Sequence, residues 1–221
     1  MILAQPLSFF IYYIILLMSK TFRIAVTGGI GSGKSVVSHL LSIMGIPVYD
    51  CDSRAKMLME SDGCIRQGLV RMFGEECYDV AGRLNRSWLA SRIFVDKDAI
   101  ERVNDLVHPR VVSDFDLWAE QQGVPIVAVE TAILFESGLN EVVDRVLLVW
   151  ANAETCIKRV EARNGMTRQN VQNRMNNQMP LDDLLLLCDY AVHNDGDDAV
   201  FPQVMEFVDA MKKVVQERNC K

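Results

Sequence analysis

Eight residues, Gly28-Gly29-Ile30-Gly31-Ser32-Gly33-Lys34-Ser35, carry the strongest chemical signal in the chain. They fit the spacing G-x-x-x-x-G-K-[ST], the phosphate-binding P-loop. Glycines let the backbone curl until successive N–H groups converge on one anion. A lysine at the position of Lys34 reaches the β- and γ-phosphates, and a hydroxyl at Ser35 ligates Mg²⁺. Gly29, Ile30, Gly31, Ser32, Gly33, Lys34, Ser35 and Val36 are therefore the expected ATP-binding stretch. The plainer alternative is a tight glycine turn with no ligand.

Acidic residues supply the next signal. Asp50-Cys51-Asp52 follows a short apolar run. Carboxylates there could ligate Mg²⁺ or take a proton from an acceptor hydroxyl. An Asp capping the next helix, with Ser53-Arg54-Ala55 as its first turn, is the competing reading. Glu130 stands at the end of another apolar run, where it could hold a water on Mg²⁺, and Glu136 follows closely enough to line the same cleft. Arg159 and Arg163 lie four apart and share a helix face. Such a pair can close over a transferring phosphoryl group and offset its charge; a solvated basic face is the bland alternative. A lone histidine such as His108 is more often structural.

These positions need a scaffold, and the hydrophobic pattern predicts one. Residues 22–27 read as a buried strand, and 36–41 as helix, so the loop sits at a helix N-terminus where anions bind. Gly45 to Asp50 reads as a turn into a second strand. Residues 53 to about 120 show helical patterning, with Trp88, Leu89, Arg92 and Ile93 on one face and Ile100, Val103 and Val107 on another. Gly74, Gly82 and Pro109 punctuate this region. Residues 126–129 and 145–150 are continuous apolar runs of the kind found in parallel sheets. A polar helical stretch with a run of basic residues, Lys158, Arg159, Arg163, Arg168 and Arg174, is expected over about 153–183, a last strand over 189–193, and a closing amphipathic helix over about 198–217. Strands alternating with helices predict an α/β fold with a five-stranded parallel sheet and active residues outside the carboxyl ends of its strands.

Composition narrows the class. The 221 residues suit one α/β domain with an insertion, and half are hydrophobic. A formal net charge of −6 disfavours nonspecific nucleic-acid binding. The six cysteines form no C-x-x-C pair and are widely scattered, which argues against a zinc site or a disulfide framework and for a cytoplasmic protein. Residues 7–18 are strongly apolar but short of the roughly 20 needed to span a membrane. They lack a positive flank and a cleavage signal. Residues 1–17 are read as a misassigned upstream extension, with Met18 a natural start; a weak membrane-surface anchor is the alternative. No stable membrane insertion is expected.

The chain carries no Asn-Lys-x-Asp after a strand, so guanine recognition is unsupported. A small-metabolite or nucleotide kinase remains, either a monomer or a small homo-oligomer. At this level the sequence closely resembles the dephospho-coenzyme A kinase family. Its motifs occur in order from Arg23 to about Gly196: Thr27 to Ser35, Asp50-Cys51-Asp52, Gly82-Arg83-Leu84-Asn85-Arg86, His108-Pro109, Ile133-Leu134-Phe135-Glu136, Arg159 with Arg163, and Asp189 to Gly196. The sequence departs from the family pattern at Ala132, usually Pro, at Cys156, often Gln, and at Val36, usually Thr.

The resemblance implies a three-layer P-loop kinase fold, with core segments 18–52, 121–152 and 184–221, a helical acceptor-binding insertion at 53–120 and a lid at 153–183. It implies transfer of the ATP γ-phosphoryl group, with Mg²⁺, to the ribose 3′-hydroxyl of dephospho-CoA. By the same analogy Lys34, Asp52 and Arg159 are catalytic, and Arg163 and Asn194 contact ATP. Asp52, Arg86, His108 and Glu136 serve the acceptor; Ser35, with Asp50 and Glu130, serves the metal. Kinases of the shikimate or gluconate type, and a nucleotide-binding regulatory module without turnover, are the rival readings.

Overall fold

The computed structural model describes residues 21–93, 97–196 and 198–220. The expected upstream extension at 1–17 lies outside them. Five strands form one parallel sheet: β1 (Phe22–Thr27), β2 (Val48–Asp50), β3 (Ile126–Glu130), β4 (Arg145–Trp150) and β5 (Tyr190–His193), in the order β2-β3-β1-β4-β5. All six residues of the central strand β1 are buried, as its near-continuous apolar run requires.

Side-chain alternation along the strands divides the core in two. Ile24, Val26, Ala128, Leu147 and Val149 face one way and pack under α1 (Lys34–Ile43) and α9 (Val200–Asn219). Helix α9 contributes Val204, Phe207, Val208 and Met211 to that layer. Ala25, Val127, Val129 and Val146 face the other way. There they meet α2 (Cys51–Ser61), α3 (Gly63–Phe73), α4 (Arg86–Ile93) and α5 (Lys97–Gln121).

Two expectations for the helical regions need correction. Pro109 does not break the chain, because it lies inside the 25-residue α5. Val103, Val107, Val111, Phe115 and Ala119 recur every four residues and are all buried, and this stripe outweighs the one hydrogen bond a proline removes. Ile100 is not part of that stripe and is exposed. The helical stretch expected at about 153–183 is divided. It forms α6 (Ala153–Asn164) and α7 (Arg168–Met175), and then enters α8 (Leu181–Leu187). Gly165 ends α6 in the left-handed region, Thr167 caps α7, and Pro180 precedes α8. Ile157, Val160 and Val171 form a small separate core there, joined by Ile30 from the P-loop.

Candidate active site

The carboxyl ends of the strands carry the chemistry, as parallel α/β sheets require. A cavity of about 650 Å³ opens there. Ile30, Gly31, Gly33, Lys34, Ser35 and Val36 line it from the P-loop, Asp50 from the end of β2, Asp52 from the start of α2, and Glu130 from the end of β3. Arg159 and Arg163 reach it from α6, as does Arg174 from α7. Residues separated by more than a hundred positions in the chain thus share one opening. Gly29 and Ser32 line a smaller cavity of about 150 Å³ beside Trp150.

The P-loop is shaped by close backbone approach. Gly28 has φ 145°, and a Cβ there would lie 2.0 Å from the Val149 carbonyl oxygen. A Cβ on Gly31 would lie 2.5 Å from the carbonyl oxygen of Cys156. Cys156 is buried behind the loop, so its replacement of a more usual Gln leaves a packing role.

Lys34 Nζ donates to the carbonyl oxygens of Gly28 at 2.8 Å and Gly29 at 3.0 Å. Burial lowers its pKa below the ordinary lysine value; Glu130, Asp52 and Cys156 oppose that shift, and Arg163 adds to it. Ser35 Oγ donates to Glu130 Oε1 at 3.0 Å. Two of the three residues expected to serve the metal, Ser35 and Glu130, are therefore side by side.

Asp50 caps α2. Its Oδ1 accepts the N–H groups of Asp52 and Ser53, and its Oδ2 accepts the Ser53 hydroxyl. The capping reading of the sequence thus holds at Asp50, which also lines the main cavity. Asp52, the second residue of α2, lines the cavity. Helix α2 is fixed in turn by Asp114 on α5, which accepts from Tyr49 Oη at 2.6 Å and from Arg54 Nε and Nη2 at 2.8 Å each.

Asn194 lies against the P-loop. Its Nδ2 donates to the Ser32 carbonyl oxygen at 2.8 Å, and Arg159 approaches the same Ser32 oxygen and Asn194 Oδ1. Asn194 thus supports the loop from behind and does not line the main cavity. Arg86 pairs with Glu60 at 3.1 Å on an exposed face and lines neither the main cavity nor the one beside Asp52. Glu136 Oε1 accepts the Met179 N–H at 3.3 Å.

His108 lines a second cavity, of about 220 Å³, that adjoins Asp52. Burial pushes its pKa down against the opposing pull of Asp105 and Glu136. Two contacts went unread in the sequence. Gln178 Oε1 accepts the Ile30 N–H at 2.9 Å, and Arg174 and Asn177 join it at the cavity wall. In the sequence Arg174 is one of several basic residues in the 153–183 stretch, with nothing local to set it apart.

Comparison with known proteins agrees with this arrangement. Residues 22–199 match the family model described as dephospho-CoA kinase. A dephospho-CoA kinase from Porphyromonas gingivalis is 40% identical over 190 residues, covering 86% of this chain and 94% of the relative. One from Bacteroides fragilis is 36% identical over 187 residues, covering 84% and 91%. The crystal structure of TT1252 from Thermus thermophilus superposes with a TM-score of 0.78 at 33% identity, covering 87% of this chain and 98% of that one. The fold, the ordered motifs and these matches make the chain a member of the dephospho-CoA kinase family, the enzymes of the final step of coenzyme A biosynthesis.

Proposed function

We propose that this chain uses the P-loop cavity to pass the ATP γ-phosphoryl group to the ribose 3′-hydroxyl of dephospho-CoA, with Asp52 orienting that hydroxyl. The observation that carries the reading is the sharing of one cavity by Lys34, Asp52, Arg159 and Arg163. Phosphoryl transfer passes through a loose transition state, so positioning and charge stabilisation dominate. Loop amides and the N-terminus of α1 hold the phosphates. Lys34 and the two arginines offset charge on the transferring group. Asp52 accepts the hydroxyl proton as the new bond forms.

Mg²⁺ suits the oxygen pair formed by Ser35 and Glu130, since hard cations prefer oxygen donors. Among the described residues no group of three or more metal-ligating side chains is gathered. That fits an ion bound through few protein groups together with substrate phosphates and water. When bound, it would neutralise β- and γ-phosphate charge. Ser35 would contact it directly, and Glu130 would hold one of its waters.

No helix among the described residues is long and apolar enough to cross a membrane. All six cysteines are unpaired, which supports a reducing, cytoplasmic setting. The decisive assay follows ADP release from ATP with dephospho-CoA, shikimate, gluconate or no acceptor. Turnover with dephospho-CoA alone is expected; its absence would remove the proposal.

A further inference from the structure

The cavity of about 220 Å³ beside Asp52 has a composition of its own. Its walls are mostly apolar, with Met59 from α2, Val103 and Val107 from α5, and Ile133 from the segment after β3. No lysine or arginine lines it. It shares Asp52, Thr131 and Ile133 with the nucleotide cavity, so Asp52 stands on the boundary between the two. Two polar side chains enter it from one helix face, Asn104 and His108, four residues apart on α5. Both are partly buried, and among the described residues neither side chain has a hydrogen-bond partner.

We infer that this cavity holds the adenine base of the acceptor and that Asn104 reads its edge. The inference rests on the acceptor reading above. If the 3′-hydroxyl sits at Asp52, whatever lies in the adjoining cavity must be joined closely to that ribose. Three groups are available. The pyrophosphate is anionic, and a cavity with a carboxylate at its mouth and no cation in its walls excludes it. The thiol-ended arm is separated from the ribose by the pyrophosphate, so reaching this cavity would force those charges past Asp52. The base is attached directly to the ribose. The volume is below that of pockets for drug-sized ligands, of order 300 Å³ or more, and suits a fragment such as a purine.

The chemistry of Asn104 fits the same occupant. A carboxamide offers one donor and one acceptor side by side. It pairs bidentately with adenine, accepting from the exocyclic N6 amine and donating to N7. Hypoxanthine replaces that amine with an oxygen, so the Asn104 oxygen would face a second acceptor. His108 brings an imidazole to the same wall one turn away.

The test compares dephospho-CoA with its hypoxanthine analogue in steady state. The wild-type chain should favour adenine roughly ten- to a hundredfold in kcat/KM, the span of one bidentate contact, mostly through KM. Asn104→Ala should collapse that preference by raising KM for dephospho-CoA, with KM for ATP unchanged. Val107→Phe, which fills the cavity without touching the polar pair, should raise the same KM. An unchanged KM for ATP in both variants shows that the donor site is intact. Preference for adenine retained in Asn104→Ala overturns the inference; if Val107→Phe still raises KM, the thiol-ended arm occupies the cavity instead. Absence of turnover by the wild-type chain with dephospho-CoA would overturn the acceptor reading itself, a result distinguishable from either of these.

Discussion

Gln178 on the segment leading to α8 accepts the backbone N–H of Ile30 in the P-loop at 2.9 Å. The next residue, Met179, donates its N–H to Glu136 beyond β3. Ile30 meanwhile places its side chain against the small core of α6 and α7. The P-loop is thus fastened to the helices that carry Arg159, Arg163 and Arg174. Loop and arginines are positioned relative to one another before a nucleotide arrives, and such preorganisation reduces the cost of ordering them in the transition state.

Loss of the Gln178 contact should therefore register at the donor site. One neutral hydrogen bond is worth about 0.5–1.5 kcal/mol, so Gln178→Ala should raise KM for ATP by up to about tenfold. Gln178→Glu keeps an acceptor for Ile30 but adds negative charge beside the phosphates, so its KM should rise further. Nucleotide titrations of both variants check this order. Equal affinity of Gln178→Glu and wild type would mean that the side chain does not face the nucleotide.

Lys34 and Asp52 should separate donor from acceptor chemistry. Lys34→Ala removes charge stabilisation at the transferring group, and loss of one such donor costs about 10²–10³ in kcat. Asp52→Asn keeps the shape but cannot accept a proton. Its kcat should fall about a hundredfold, the low end for a general base because the loose transition state asks little of it. KM for ATP should change less than kcat. Single-turnover rates with saturating ATP distinguish the two, and an intact rate in Asp52→Asn would end the base assignment.

The sheet and the P-loop were readable in the sequence because their signals are local. Buried parallel strands are continuous apolar runs, and the loop's glycines follow fixed spacing. Asp50 was ambiguous because a carboxylate one residue before a helix suits a cap and a ligand equally; its cap shows only in its contacts with Asp52 and Ser53. Pro109 misled because the force holding α5 together is the tertiary burial of Val103 through Ala119, and propensity yields to packing. The breaks at Gly165 and Pro180 had their residues in plain view, but the charge pattern around them left the helix boundaries within the stretch unset. Gln178 was out of reach, since its partner lies 148 residues away. Asn104 carried a usable signal, its four-residue spacing to His108, but nothing local showed that both face one cavity.

Backbone conformation at Gly31 makes a sharper claim than its presence in a motif. Its φ is +80°, and a Cβ would sit 2.5 Å from the Cys156 carbonyl oxygen. Gly45 has nearly the same φ, +83°, with nothing within 4 Å of its Cβ position. Gly45→Ala should thus show the strain of a left-handed non-glycine alone, about 1 kcal/mol and a melting temperature lower by about 2–4 °C. Gly31→Ala must also push the loop away from α6. It should lower the melting temperature more and raise KM for ATP, whereas Gly45→Ala leaves KM unchanged. Equal thermal losses in the two variants would show that the contact with Cys156 yields at no cost.

His108 supplies the pH dependence. Burial lowers its pKa in the folded chain, with Asp105 and Glu136 opposing. The unfolded chain therefore binds the proton more readily over the window just below the ordinary histidine pKa of about 6.5. Where the unfolded state binds more protons, stability rises with pH. The neutral imidazole is accommodated without penalty above that window, and stability is lost as the pH falls through it. His108→Asn removes the group and should be less sensitive to acid. Melting temperatures of the two proteins at pH 7.5 and 5.5 check the sign: the change on acidification should be larger for the wild type. A larger acid loss in His108→Asn would mean that Asp105 and Glu136 prevail over burial and hold the histidine protonated in the fold.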